Sequence, residues 1–285
     1  MQITHRQKPK SDYDNFKHRS GKIQFTPLLS GEAGACDNFE FAIVSTPGDY
    51  HTPRHRHNFD QVRVLLEGEF GYAKGKVQKA GTIGYFCEGT YYTQNCEGPS
   101  ETLLLQGSGA SQNNYMGLSM LKAATEELAE KAGGHFTNGI YGREDASGNI
   151  RSQDGYEAAW EYKFQRKLEY PKPRFDGPII MNAENFDWQK SEFQQGVELR
   201  HLGTFQERYT SIVQWRIQAG ASFEVSVSPV RRLFFVYSGE GRINGEVVRR
   251  HSAANINPEE AVVVEAVNEL TMLSIGLPAT NRSTS

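Results

Sequence analysis

The chain has 285 residues, of which 38% are hydrophobic and 23% charged, with a net charge of −3 at neutral pH. That length suits two ordinary domains, each able to bury its own core. No apolar run approaches the roughly 20 residues that span a bilayer, and no basic stretch exceeds Arg249-Arg250-His251, so neither membrane insertion nor general nucleic-acid binding is expected. Three cysteines, Cys36, Cys87 and Cys96, make no disulfide framework. Residues 1–10 are basic and polar, without the apolar stretch of a secretory signal, so a reducing cytoplasm is expected.

Residues 1–35 are polar with Gly and Pro punctuation and are expected to form an arm, of the kind that packs on a neighbouring domain or subunit. From 36 to 110, short strands at 41–45, 61–66, 70–72, 82–86 and 101–105 alternate with Gly-rich turns, the pattern of a small antiparallel sandwich or barrel. Residues 111–200 change character. Helix formers fill 119–132 and stop at Gly133-Gly134. A second helix starts near Asp154 and sets Tyr156, Trp160 and Phe164 four apart on one face. Both helices are expected to cover the outside of the barrels. Tyr170-Pro171-Lys172-Pro173 cannot continue a helix and reads as an extended connector. Strands return over 201–278, at 213–217, 232–237, 241–248, 253–256, 261–265 and 270–275, and 279–285 reads as a loose tail.

His55 and His57 are the residues most able to carry chemistry. Alternate side chains of an extended strand share a face, so His-x-His points two imidazoles into one space where a divalent metal can take both. Gln61, Arg63 and Leu65 share one face of the following strand, and Val62, Val64 and Leu66 the other. An all-aliphatic outer face calls for a cover, either the rest of the chain or another subunit, and a homodimer or higher homo-oligomer is expected. Tyr72, Tyr85, Phe86 and Tyr91 either line a pocket or pack in the core.

The spacing Gly48-x6-His55-x-His57-x3-Gln61-x6-Gly68, followed by Gly81-x5-Cys87-x-Gly89-x2-Tyr92, resembles the paired motifs of the cupin superfamily. In that family the first motif supplies two His and a Glu, and the second a Pro and a third His. Gln61 stands here in place of Glu, Cys87 in place of Pro and Tyr92 in place of the last His. The resemblance implies a metal on His55, His57 and Gln61, with Arg63 orienting a substrate anion and Tyr92 acting as acid, base or pocket wall. Fe(II) is the favoured ion, with Mn, Ni, Cu or Zn as alternatives.

A second copy lies downstream. Glu67-Gly68-Glu69 matches Ser238-Gly239-Glu240, and Cys87 matches Pro258, at one offset of 171 (239 − 68 and 258 − 87). The metal positions there hold Ser226, Ser228 and Arg232, with Val263 opposite Tyr92, a poor ligand set. The expected fold is all-β: two cupin-like antiparallel barrels (double-stranded β-helix, or jelly roll) joined by a partly helical insert, with the site in the first barrel. The resemblance implies an enzyme acting on a small anionic or enol-type molecule, foremost a dioxygenase. The alternatives are a non-oxidative isomerase, dehydratase or lyase, and a metal-free binding or structural bicupin.

Overall fold

The computed structural model describes residues 1–8, 16–19, 21–205 and 210–278. Residues 9–15 and 20 of the expected arm, 206–209 of the expected second barrel and the expected tail at 279–285 lie outside these. The described chain divides into two compact units. One is built on 30–180 with the described part of 9–26, the other on 181–278 with 1–8 and 27–29.

In the first unit a six-stranded sheet has the order Ile179–Asn182, Thr82–Phe86, Phe59–Glu67, Ser100–Ser108, Phe39–Thr46, Gln24–Ser30. A four-stranded sheet has the order Tyr50–His55, Tyr92–Cys96, Glu69–Ala73, Lys76–Lys79. In the second unit Ser252–Ile256, Arg232–Ser238, Leu270–Gly276, Thr210–Ile217 and Val197–Phe205 repeat the order of the first, as do Ser222–Val225, Val262–Ala266, Glu240–Ile243 and Glu246–Arg249. Neighbouring strands run antiparallel throughout these pairs. The strand Gln2–His5, read from sequence as part of an arm, adds to the edge of the second unit's sheet beside Ser252–Ile256.

The two copies share even their irregularities. Each has a bulge at the same step of its central strand, where Leu66 in the first copy and Tyr237 in the second is the extra residue. The repeat departs from a constant offset at one place. Gln61 pairs with Phe86, 25 residues on (86 − 61), whereas Arg232 pairs with Ile256, 24 residues on (256 − 232). A register shift between Gly71 and Ala73 absorbs the additional residue in the first copy, and the matching hairpin of the second runs without one. Tyr92 therefore corresponds to Val262 rather than Val263, and Cys87 to Asn257 rather than Pro258.

The helices fall where the sequence places them but do different work. Leu118–Lys131 buries Leu121, Ala124, Thr125 and Leu128, the 3–4 spacing of one face, and its chain leaves through Gly133 at φ +66°. Its N-cap Gly117 offers no side chain, and Glu40 from the sheet accepts from Leu118 N instead, at 2.7 Å. Gly155–Phe164 starts on Asp154, whose carboxylate accepts from Tyr156 N and Glu157 N. Phe59, Tyr115, Met116, Leu121, Tyr156 and Trp160 form one buried cluster, so these helices close a cavity of the first barrel instead of cladding its outside. The Trp160 indole is fully buried and donates to Asn114 O at 3.0 Å.

Val62 and Val64 are both 2% exposed within this single chain. The aliphatic face that suggested a partner subunit is thus covered by the chain itself. Among the described residues, no helix is long and apolar enough to cross a membrane, and all three cysteines are free.

Gly239 and Gly245 test the turn chemistry of the second copy. Both sit at positive φ, +88° and +83°, but a Cβ at Gly239 would strike Glu269 O, while one at Gly245 meets nothing. Gly245→Ala is expected to cost roughly 1–2 kcal/mol, the penalty of a left-handed side chain. Gly239→Ala should cost distinctly more in urea unfolding, because a backbone carbonyl must also move.

Candidate active site

His55 is the last residue of the Tyr50–His55 strand, and His57 lies in the loop beyond it. Their rings nonetheless converge, with centroids 5.0 Å apart at 82°. His55 Nδ1 contacts the Pro53 carbonyl at 2.8 Å and Thr52 Oγ1 at 3.3 Å. A carbonyl only accepts, so the proton sits on Nδ1 and Nε2 keeps its lone pair. That Nε2 and the Nδ1 of His57 are buried without a hydrogen-bond partner. His57 stacks on Phe59 at 4.5 Å and meets the edge of Tyr156 at 4.8 Å.

Gln61 and Arg63 project to the same side, as strand alternation requires. Gln61 Nε2 donates to Tyr92 Oη at 2.7 Å, and Gln61 Oε1 accepts from Arg63 Nε at 3.1 Å and Nη2 at 2.7 Å. With the Gln94 amide turned so that its oxygen faces Arg63, that oxygen accepts from Nη1 at 3.1 Å and Nη2 at 3.2 Å. The guanidinium also lies over the rings of Phe86 at 4.2 Å and Tyr92 at 4.7 Å. Arg63 is 5% exposed, and its partners are amides and aromatic faces. The expected ion pair or ready-made carboxylate clamp is replaced by a buried cation whose charge is uncompensated.

These side chains border a cavity of about 90 Å³. His18, Arg19, Tyr50, His57, Arg63, Tyr92, Gln94 and Tyr156 line it together with apolar side chains, and among the described residues no Asp or Glu does. The carboxylates nearest in sequence are turned away. Asp60, on the opposite face of the same strand, accepts from Tyr85 Oη at 2.7 Å and Glu88 N at 2.8 Å. Glu88 in turn pairs with Arg174 at 2.9 Å. Tyr85 is thereby committed outside the cavity, Phe86 packs under Arg63, and Tyr91 is exposed beneath Arg54 and Arg56.

Two of the three expected metal donors fit a metal and one does not. His55 and His57 present unpartnered ring nitrogens, and the Nδ1 anchor of His55 on a carbonyl is the support that metal-binding imidazoles commonly have. Gln61 is a correction to the sequence reading: both ends of its amide are occupied, and its oxygen faces a guanidinium. Tyr92, at the position of the third histidine, is kept a neutral phenol by burial, which raises its pKa, and it accepts from Gln61. Among the described residues, no three His, Cys, Asp or Glu side chains converge as a metal site. A three-donor centre of the expected composition does not fit.

Sequence reasoning missed His18, Arg19, Tyr50, Gln94 and Tyr156. Gln94 was within reach, since it follows Tyr92 by two in the strand Tyr92–Cys96 and must share its face. Arg19 and His18 come from a segment with no periodicity, and only tertiary folding brings them in. The corresponding interior of the second barrel is apolar among the described residues. Val225, Phe234, Ile243, Ile256, Val262 and Val264 fill it.

No family model matches the sequence, and no curated protein matches it. Solved structures do. Quercetin 2,3-dioxygenase from Acinetobacter baumannii aligns over 99% of this chain and 87% of its own, with TM-score 0.54 and 11% identity. A bacterial pirin from Escherichia coli, in complex with nickel(II), covers 98% and 99%, with TM-score 0.53 and 12% identity. Oxalate decarboxylase from Bacillus subtilis covers 98% and 78%, with TM-score 0.52 and 16% identity. These likenesses show the fold: the chain is all-β, with two antiparallel barrels arranged as in those structures. At such identities they carry no activity across.

Burial pushes the imidazoles of His18, His55 and His57 well below their usual 6.5. As pH falls below 6.5 the unfolded chain takes up three protons that the folded chain refuses, so stability is complete above 6.5 and declines below it. Asp60, raised by burial from 3.8 to about 6, works in the opposite sense, because its folded carboxyl gains a proton first. Glu40, also raised by burial, acts with Asp60, so three against two leaves at least one proton, worth about 1.4 kcal/mol per pH unit. The urea midpoint is expected to fall from pH 6.5 to 5; a flat midpoint would contradict the neutral burial of these rings.

Proposed function

We propose that the first barrel is the active site of a non-oxidative enzyme that moves a proton on a small organic anion, as an isomerase, dehydratase or lyase does. The observation that carries this reading is the Arg63 guanidinium, held by neutral partners beside a cavity that no carboxylate lines among the described residues. A buried cation without a counter-charge is costly, and an anionic substrate supplies the missing charge. Because Arg63 already donates to Gln61 and Gln94, it acts mainly through its field.

The other groups have matching roles. His57 lines the cavity and is held neutral by burial, so it can accept a proton from carbon next to a carbonyl. Tyr92 Oη accepts from Gln61 Nε2, which leaves its own O–H free to donate to the carbonyl oxygen as negative charge develops there. Gln61 is a positioning residue that fixes both Tyr92 and Arg63. The charge of the enolate formed in this step falls within the field of Arg63, and His57 returns the proton to a different atom or to the same one.

A metal-dependent dioxygenase is the second reading, favoured by the unpartnered nitrogens of His55 and His57. A divalent ion bound there would act as a Lewis acid or oxygen-activating centre held by those two rings. Fe(II), Mn, Ni, Cu and Zn all suit imidazole. A cytoplasmic location and a homo-oligomer belong to either reading.

Deuterium exchange into C3 of 2-oxobutyrate, followed by NMR, tests the first reading. His57→Gln is expected to slow exchange about 10²-fold, and Tyr92→Phe by about 10² or more, with Arg63→Met chiefly raising KM. Exchange that never exceeds the buffer rate would sink the proton-transfer reading. One equivalent of metal in the purified wild type, absent from His55→Ala and accompanied by oxygen consumption with an enolic acid, would select the dioxygenase.

A further inference from the structure

The charge inventory of the cavity narrows the substrate class. Among the described residues, two cations with permanent charge line it, Arg63 and Arg19. Arg19 is already served: it donates to His18 O at 2.7 Å and lies 3.5 Å from Asp154 Oδ2. Asp154 is fixed in that position, because its other oxygen caps the Gly155–Phe164 helix through Tyr156 N at 2.9 Å and Glu157 N at 3.1 Å. One unit of positive charge, on Arg63, is therefore left for a ligand. The rest of the wall is uncharged: hydrocarbon from Phe25, Val44, Phe70, Leu104, Leu118 and Leu121, with neutral polar groups such as Gln78, Thr102 and Gln106 between.

We propose that this cavity accepts an amphiphilic monoanion, a short-chain carboxylic acid with an alkyl body, and rejects dicarboxylates. The inference rests on the anion-site reading above and specifies its substrate class. One carboxylate balances Arg63, and an alkyl body displaces water from the apolar wall. A second carboxylate has two places to go, both unfavourable. It either lies against an uncharged wall, stripped of water and with no cation to balance it, or approaches Arg19 with the negative charge of Asp154 immediately behind it. The volume of about 90 Å³ keeps the alkyl body short. Asp154 is thus a specificity-determining residue that never touches the ligand.

Calorimetric titration of the full chain with isovalerate and with succinate tests this. Isovalerate is expected to bind at least about tenfold more tightly than succinate, and Arg63→Met to lose both. Asp154→Asn keeps a side-chain oxygen for the helix cap, since Asn caps as well as Asp, but removes the charge and frees Arg19 as a second cation. Succinate should then gain about tenfold while isovalerate changes little. Succinate binding the wild type as tightly as isovalerate, or an affinity ratio unmoved by Asp154→Asn, would overturn the proposal while leaving the anion site standing. Failure of both acids to bind the wild type would remove the anion site itself.

Discussion

Arg63 carries a full positive charge into the interior of a β-barrel and finds only neutral partners there. Two amide oxygens, from Gln61 and Gln94, and two aromatic faces, Phe86 and Tyr92, hold the guanidinium. Such a cage satisfies donors without cancelling charge. The polar arrangement of the cavity follows from it. Gln61 turns its oxygen inward to Arg63 and must present its nitrogen to Tyr92, which settles the direction of the tyrosine hydroxyl. The positive field, added to burial, keeps His55 and His57 neutral.

A strand's alternation sorts the charges. Along Phe59–Glu67, Gln61 and Arg63 face one way and Asp60 the other, so the cation and the nearest carboxylate end on opposite sides of one sheet. On its own side Asp60 joins Tyr85, Glu88 and Arg174 in a network that is charge-balanced and closed. On the cavity side there is no such closure. With an amide at Gln61 and a guanidinium two residues on, the cavity side is a place that already contains a cation.

Duplication shows what the barrel does when no chemistry is asked of it. The second copy keeps the strand order, the bulge after its central strand and the positive-φ turn at Gly239. Its interior is closed by Val225, Phe234, Ile256, Val262 and Val264. Where the first copy places Tyr92, the second places Val262, so the exchange of a phenol for an aliphatic side chain accompanies the loss of a polar cavity. The fold is stable with either content, since packing along the strands, and not the site, supplies its core.

The sequence by itself determined the duplicated all-β architecture, both helices with their stops, the sharing of one face by Gln61 and Arg63, and the pairing of His55 with His57. All of these are local: period-two alternation, glycine at turns and a repeat read at fixed offset depend on neighbours in the chain. The one-residue slip at Gly71 to Ala73 escaped, because a bulge leaves no mark in composition. Tertiary structure alone decided that the Gln61 oxygen is given to Arg63, that the helices seal a cavity, and that His18, Arg19 and Tyr156 reach it. Hydrogen-bond partners of a buried amide and the charge balance of a cavity are sums over groups far apart in sequence. No window of residues contains them.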